Sequence, residues 1–167
     1  DPLLHIVRNA LDHGLEPAAE RLAAGKPAAG RIDIEVKLDV GGLRIRLHDD
    51  GRGLALARIR ARALEQALLT EEEARSDEAV AQTIFLSGFS TAEQVTEVSG
   101  RGVGMDAVRG FLQREGGDVH IHFLDTNVGA DFRAFDLVVS LPARFGTQLD
   151  LPTEAATPEP QFAPLSV

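Results

Sequence analysis

The 167-residue chain contains no cysteine. Disulfides and thiolate metal sites are therefore excluded, an absence compatible with a reducing cytosol. Positive charge is in deficit: the formal net charge is −9, and a protein whose main partner is nucleic acid needs a basic face for the phosphate backbone. That balance leaves small anions open, because local backbone donors hold them whatever the surface charge. No apolar run reaches the length of a membrane span, and no signal peptide is visible. The chain opens mid-pattern at Asp1-Pro2-Leu3-Leu4 without an initiator Met, and reads as a piece of something longer. What is present is ordinary for a globular domain, 44% hydrophobic and 26% charged residues. The length suits one domain with a proper core.

The most informative stretch is Ser99-Gly100-Arg101-Gly102-Val103-Gly104-Met105-Asp106, which runs straight into an apolar-periodic helix through Val108, Phe111 and Leu112. Glycines let backbone N–H groups approach a ligand with no Cβ in the way. The N-terminus of the helix adds unpaired donors and a positive dipole end, so together they suit phosphate. A tight turn would carry the same residues. Three other stretches are therefore needed to decide.

Pro2 to about Leu15 reads as a helix capped by Asp1 and ended at Gly14. Ile6, Val7, Ala10 and Leu11 form its apolar side. His5, Arg8, Asn9, Asp12 and His13 recur on the other side; a solvated polar back is the plainer reading, but Asn, Asp and two His are poor helix formers and suit a site better than a scaffold. Residues 16–30 read as a short helical turn and loop. Ile32, Ile34, Val36 and Leu38, then Leu43, Ile45 and Leu47, alternate with polar residues across the turn Val40-Gly41-Gly42. This predicts a hairpin with one buried face, packed on the first helix. The second strand ends in His48-Asp49-Asp50-Gly51-Arg52-Gly53. An ionised Asp only accepts hydrogen bonds, so at such a turn it can select a ring carrying an amino group; a simple Asp-Gly turn is the plainer alternative.

Leu56 to Leu69 reads as helix, and Glu71–Ala74 with Asp77–Ile84 as a second helical piece. Phe85-Leu86-Ser87-Gly88-Phe89-Ser90-Thr91 breaks the period. Residues 92–98 lack an apolar face and sit where a ligand-ordered lid over phosphates would sit. After the glycines, a helix runs to about Arg114 and ends at Gly116-Gly117. Val119, Ile121 and Phe123 alternate with His120 and His122, and Phe135, Leu137, Val139 and Leu141 make the last strand before Pro142. Residues 1–145 read as one domain and 146–167 as a Pro-rich tail or linker without apolar period.

His5-Ile6-Val7-Arg8-Asn9-Ala10-Leu11-Asp12-His13-Gly14, Asp49-Asp50-Gly51-Arg52-Gly53, Gly88-Phe89-Ser90-Thr91-Ala92 and the Ser99–Asp106 stretch keep one order and spacing. Together they closely resemble the ATP-binding domain of chemotaxis-type sensor histidine kinases, within the wider group that includes gyrase, the Hsp90 chaperone and MutL. The resemblance covers residues 2 to 142. It implies the Bergerat ATP-binding fold: an α/β (α+β) two-layer sandwich whose mixed, mostly antiparallel sheet packs on helices. It implies ATP and Mg²⁺ as cofactors, with Asn9 as the Mg²⁺ ligand and Asp49 accepting from the adenine amino group. Gly53 lets the base pack closely, and Gly100, Gly102 and Gly104 lie along the phosphates. The resemblance counts Gly51, Phe89, Ser90, Arg101, Val103 and Met105 in the matching stretches among the binding residues. It places Arg8, Asp12, His13 and Arg58 on the ribose and phosphate side. His5, one turn before Asn9, stands where relatives that hydrolyse ATP have a glutamate base, and is grouped with Asn9 as catalytic.

The implied reaction is transfer of the γ-phosphoryl of Mg-ATP to a histidine on a separate domain, upstream or in trans, with a response regulator as the next partner. None of the histidines of this chain is the expected acceptor, so the enzyme is incomplete without that domain. Partnership with nucleic acid or membrane is not implied for this piece, which is expected to be a monomer from a dimeric parent. Its expected location is cytoplasmic, with an inner-membrane anchor allowed for the parent. Two departures from the family pattern are visible. Gly129-Ala130-Asp131-Phe132 stands where Gly-Thr is usual, and the chain after a late Leu141-Pro142 turns Pro-rich instead of entering a coupling domain. Two alternatives carry the same fold: an ATP-binding regulatory module without phosphotransfer, and a serine kinase of the anti-sigma type.

Overall fold

Residues 2–89 and 104–146 are described in the computed structural model of the chain. The first helix, α1 (Pro2–Asn9), continues as a π-helical turn over Ala10–Gly14, closed where Leu15 N–H donates to the Ala10 carbonyl at 3.1 Å. Ile6 and Ala10 are buried as expected, but Leu11 is 54% exposed. The reason is the wider turn: an i→i+5 step shifts each following side chain away from a stripe laid out at 3.6 residues per turn.

A short helix α2 (Ala18–Ala23) precedes the hairpin of β1 (Ile32–Asp39) and β2 (Gly42–Asp49), whose turn is stabilised by Gly41 N–H donating to Asp39 Oδ1 at 2.7 Å. Then come α3 (Leu56–Glu65), α4 (Asp77–Gln82), α5 (Met105–Arg114), β3 (Asp118–Phe123) and β4 (Phe135–Leu141). Ser76 caps α4 by accepting from Ala79 N–H at 3.2 Å, the expected use of a hydroxyl at that position. The strand order is β1-β2-β4-β3 and every pairing is antiparallel. The mixed sheet expected from the sequence thus has no parallel pair among the described strands.

Register decides which face is buried. Ile45 stands opposite Val36 and Val139, and Val139 opposite Val119, so one face is an apolar row across all four strands. Ile6, Ala10, Leu47, Phe85, Val108, Leu112, Val119, Leu137 and Val139 build the main core there. A second cluster joins Leu56, Ile59, Val80 and Ala81 under α3 and α4. The other face carries Arg46 and Glu35, and His48 opposite Asp136, with His122 on its far side. Helices on one side and charges on the other make the two-layer α/β sandwich.

Two expectations about burial do not hold. The hairpin does not have one uniformly buried face: of the apolar residues of β1, only Ile32 packs on the core, while Ile34, Val36 and Leu38 remain exposed. Among the described residues no helix lies over the apolar side of this edge strand. Phe111 is also exposed, whereas Val108 and Leu112 are buried, because only one side of α5 meets the sheet and Phe111 sits at the margin of that stripe. The expected lid, with Ser90, Gly100, Arg101, Gly102 and Val103, and the expected tail from 147 onward lie outside the described residues. Among the described residues no helix is long and apolar enough to cross a membrane.

The loop between β3 and β4 is held by charge. Asp77, fully buried at the start of α4, accepts from Arg133 Nη1 at 2.9 Å, Arg60 Nη2 at 2.7 Å and Gly129 N–H at 2.9 Å. Arg133 also bonds Asp125 and stacks over the Phe123 ring at 4.0 Å. Removing Arg133 takes one of two cations from the buried Asp77, together with the Asp125 bonds and the ring contact. Arg133→Ala is therefore expected to destabilise the domain by about 2 kcal/mol, the range for losing a hydrogen bond between charged groups, read as a lowered midpoint in urea unfolding.

Candidate nucleotide site

β2 carries its alternation to the sheet end and delivers Asp49 into a turn. Asp49 Oδ1 accepts from Gly51 N–H at 3.0 Å, which closes the turn on the carboxylate itself. Glycine is required at 51: a Cβ there would collide with the Gly14 carbonyl, at the end of the π turn. Arg52 N–H donates to that same carbonyl at 3.1 Å. A Cβ built on Gly14 would lie 3.1 Å from Asp49 Oδ2, so helix end and carboxylate are in close register. Burial pushes the Asp49 carboxyl above its ordinary range, with the Gly51 N–H and His48 pulling the other way. Asp49 Oδ2 takes no hydrogen bond from the described residues.

Five residues back along the helix stands Asn9, half-buried, whose Nδ2 donates to Met105 Sδ at 3.2 Å. That contact joins α1 to the first residue of α5, across 96 positions of sequence. Gly104 is the residue before α5, and in extended conformation it leads into the helix N-terminus with φ −75° and ψ 175°. His5 is half-buried and Arg8 exposed on the same helix. Asp12 and His13 belong to the π turn; their side chains lie outside the described set. The structure therefore gathers Asp49, Gly51, Gly14, Asn9, Met105 and Gly104 around one helix, with the carboxylate at its end and a second helix N-terminus beside its middle.

Other expected residues have different surroundings. Gly53 has φ 84°, and a Cβ on it would meet the carbonyl of Arg133. The close approach it permits is thus by backbone, through the Leu54–Arg133 bridge of 2.8 and 3.2 Å bonds. Phe89 packs against the Leu56, Ile59, Val80 and Ala81 cluster. Arg58 is on the exposed side of α3.

Residues 1–143 match the family of histidine kinase-, DNA gyrase B-, and HSP90-like ATPases. The chain belongs to this ATPase family. Membership implies that the domain binds ATP. Chemotaxis protein CheA of Klebsiella aerogenes is 51% identical over 122 residues, 73% of this chain and 19% of that protein. Chemotaxis protein CheA of Salmonella typhimurium is 50% identical over 121 residues, 72% of this chain and 18% of that one. For Chemotaxis protein CheA of Bacillus subtilis the identity is 42% over 123 residues, again 72% and 18%. The chain spans about a fifth of the length of these curated relatives.

Sequence reasoning missed the charged loop that grips the ATPase domain's Asp49 turn. Arg21, 1% exposed, bonds Asp50 Oδ2 at 2.8 Å and Glu16 Oε2 at 3.1 Å, and Lys26 reaches the Asp50 and Gly51 carbonyls. Glu16, Arg21 and Lys26 follow no helical spacing, so nothing local marks them as partners.

The raised carboxyl of Asp49 has a consequence for stability. A folded pKa above the unfolded one means that this group stabilises the fold when protonated, and that the contribution is lost as pH rises through the folded value. Asp49→Asn keeps an oxygen for the Gly51 N–H and removes the buried charge. The variant is expected to melt no lower than wild type at neutral pH, and the difference to shrink on acidification, as measured by thermal unfolding across pH.

Proposed function

We propose that this is the ATP-binding catalytic domain of a two-component histidine kinase, which transfers the γ-phosphoryl of ATP to a histidine on another domain or protein. The observation that carries the reading is the Asp49 carboxylate, bound to the Gly51 N–H through Oδ1, with Oδ2 left to accept from a ligand. A carboxylate that only accepts hydrogen bonds selects an adenine-type amino group over a ring carbonyl. Gly14, beside Asp49, and Asn9, beside α5, stand five residues apart along one helix, an arrangement suited to base at one end and phosphates at the other.

Asn9 fits a Mg²⁺ ligand. Its Nδ2 is engaged by Met105, so its oxygen is the atom turned to other partners, and Mg²⁺ takes oxygen ligands one or two at a time from protein and the rest from phosphates and water. Bound there, Mg²⁺ supplies charge neutralisation to the phosphates. The α5 N-terminus adds backbone donors. In the transfer, the lone pair of a neutral imidazole bonds to the γ-phosphorus as the bond to the β–γ bridging oxygen breaks, and ADP leaves. Positioning and electrostatics carry the rate. His5, one turn from Asn9, is the candidate to orient the reacting group or to hold the proton that the imidazole later releases.

The histidines of the sheet do not suit the acceptor role. His48 Nδ1 lies 2.9 Å from the buried Asp136, and His120 and His122 project from the face opposite the helices. The acceptor thus belongs to the remainder of a parent protein or to a partner, with a response regulator receiving the phosphoryl group next. We take the domain, residues 1–145, to be cytoplasmic and monomeric within a dimeric parent.

Two measurements test the reading. In calorimetric titration with a non-hydrolysable ATP analogue, Asp49→Asn should weaken binding about 10- to 100-fold, the range for losing a hydrogen bond to a charged group. Asn9→Ala should abolish the strengthening by Mg²⁺ while Mg-free binding survives. Incubation with labelled ATP and an acceptor domain should give a product that loses its phosphate in acid; an acid-stable product would mean a serine acceptor, and wild type that does not bind the analogue would overturn the assignment.

A further inference from the structure

Residues 16–30 cover the back of the Asp49 turn, and their charges do more than solvate a loop. Arg21 lies in α2 with its side chain 1% exposed, and its partners among the described residues are oxygen atoms. Nη2 donates to Asp50 Oδ2 at 2.8 Å and Nη1 to Glu16 Oε2 at 3.1 Å. Nη1 also reaches the Asp50 carbonyl at 3.3 Å, and Nε the Pro27 carbonyl at 2.8 Å. Lys26 repeats the grip: Nζ donates to Glu16 Oε1 at 2.7 Å, the Asp50 carbonyl at 3.0 Å and the Gly51 carbonyl at 2.9 Å. Asp50 is held from its other side, because Oδ1 accepts from Arg31 N–H at 2.8 Å while its own N–H donates to the Arg31 carbonyl at 3.1 Å.

The peptide units so fixed are those that carry Asp50 and Gly51. The Gly51 N–H is the donor that orients Asp49 Oδ1, and the carbonyl of Gly14 sits where a Gly51 side chain would be. The turn therefore has its backbone carbonyls pinned from behind by two cations, and its amide aimed forward at the carboxylate. A charged fork of fixed geometry holds such carbonyls more rigidly than water would.

We propose that Arg21, assisted by Lys26, is a positioning residue for base recognition: by clamping the Asp50–Gly51 backbone it sets the direction of the free oxygen of Asp49. This rests on the reading of Asp49 as the acceptor for adenine. Arg21 itself touches neither Asp49 nor, on this geometry, the ligand, so its effect is on how well the base is selected and not on the phosphate end.

The test is titration of the full 167-residue chain with ADP, with GDP and with tripolyphosphate, for wild type, Arg21→Met, Arg21→Lys, Lys26→Met and Asp49→Asn. Arg21→Met should weaken ADP binding about tenfold and reduce the preference for ADP over GDP, while tripolyphosphate binding stays unchanged. Arg21→Lys should recover part of the loss. On the Asp49→Asn background, Arg21→Met should cost nothing further, because both act through one carboxylate. Should Arg21→Met fail to fold, Lys26→Met, at a more exposed side chain, carries the same expectation with a smaller loss. Asp49-dependent ADP binding that Arg21→Met or, in its place, Lys26→Met leaves intact overturns the proposal alone. An equal loss toward ADP, GDP and tripolyphosphate also overturns it, as the mark of a merely structural residue. Wild type that binds ADP without need of Asp49, or not at all, overturns the functional reading and the proposal with it.

Discussion

The end of the first helix meets the end of the second strand at a contact with no space for a side chain. The Gly14 carbonyl occupies the place a Cβ on Gly51 would take, and Arg52 N–H closes on the same oxygen. Backbone against backbone is the shortest approach two elements can make, and only glycine allows it. Everything at the site is measured from there. Asp49 is turned back by the Gly51 amide, Asn9 is set a fixed rise along the helix, and Met105 brings the start of α5 to Asn9. One close contact thus ties together parts of the chain that lie far apart in sequence.

Around this contact, the domain uses two ion clusters, each built on a buried charge. Arg21, Glu16, Lys26 and Asp50 hold the strand-end turn from behind. Asp77, Arg133, Arg60 and Asp125 hold the long β3–β4 connection against α3 and α4. Both satisfy backbone carbonyls or amides of irregular segments, which the sheet and helices leave unpaired. Buried charge is an expensive way to stabilise a fold. It is an effective way to give a loop one conformation, and a ligand site on loops needs that.

Much was legible in the chain itself. Alternation located all four described strands, Gly14 and Gly116 marked helix ends, and the order of the Asn, Asp-Gly and Gly-rich motifs pointed to the ATPase family that the comparison then showed. Misreadings occurred where neighbours decide. Leu11 and Phe111 fit an apolar stripe, yet a π turn displaces the first and the sheet covers too little of α5 to bury the second. Ile34, Val36 and Leu38 alternate as well as any strand, but they lie on an edge that no helix covers among the described residues. Gly53 is needed for a second reason that no local pattern shows, since a Cβ there would meet the Arg133 carbonyl.

Local sequence determined which residues form helices, strands and turns, because period, capping and glycine placement act over a few positions. It also determined the donor and acceptor inventory of the candidate site, since residue type alone makes an ionised Asp49 an acceptor and gives Asn9 an amide oxygen beside its donor. Tertiary structure decided the rest. The partners of Arg21, the burial that lifts the Asp49 carboxyl, and the Asn9–Met105 contact depend on residues separated by up to 96 positions. No periodicity records such distances; only the packed chain brings those groups within hydrogen-bond reach.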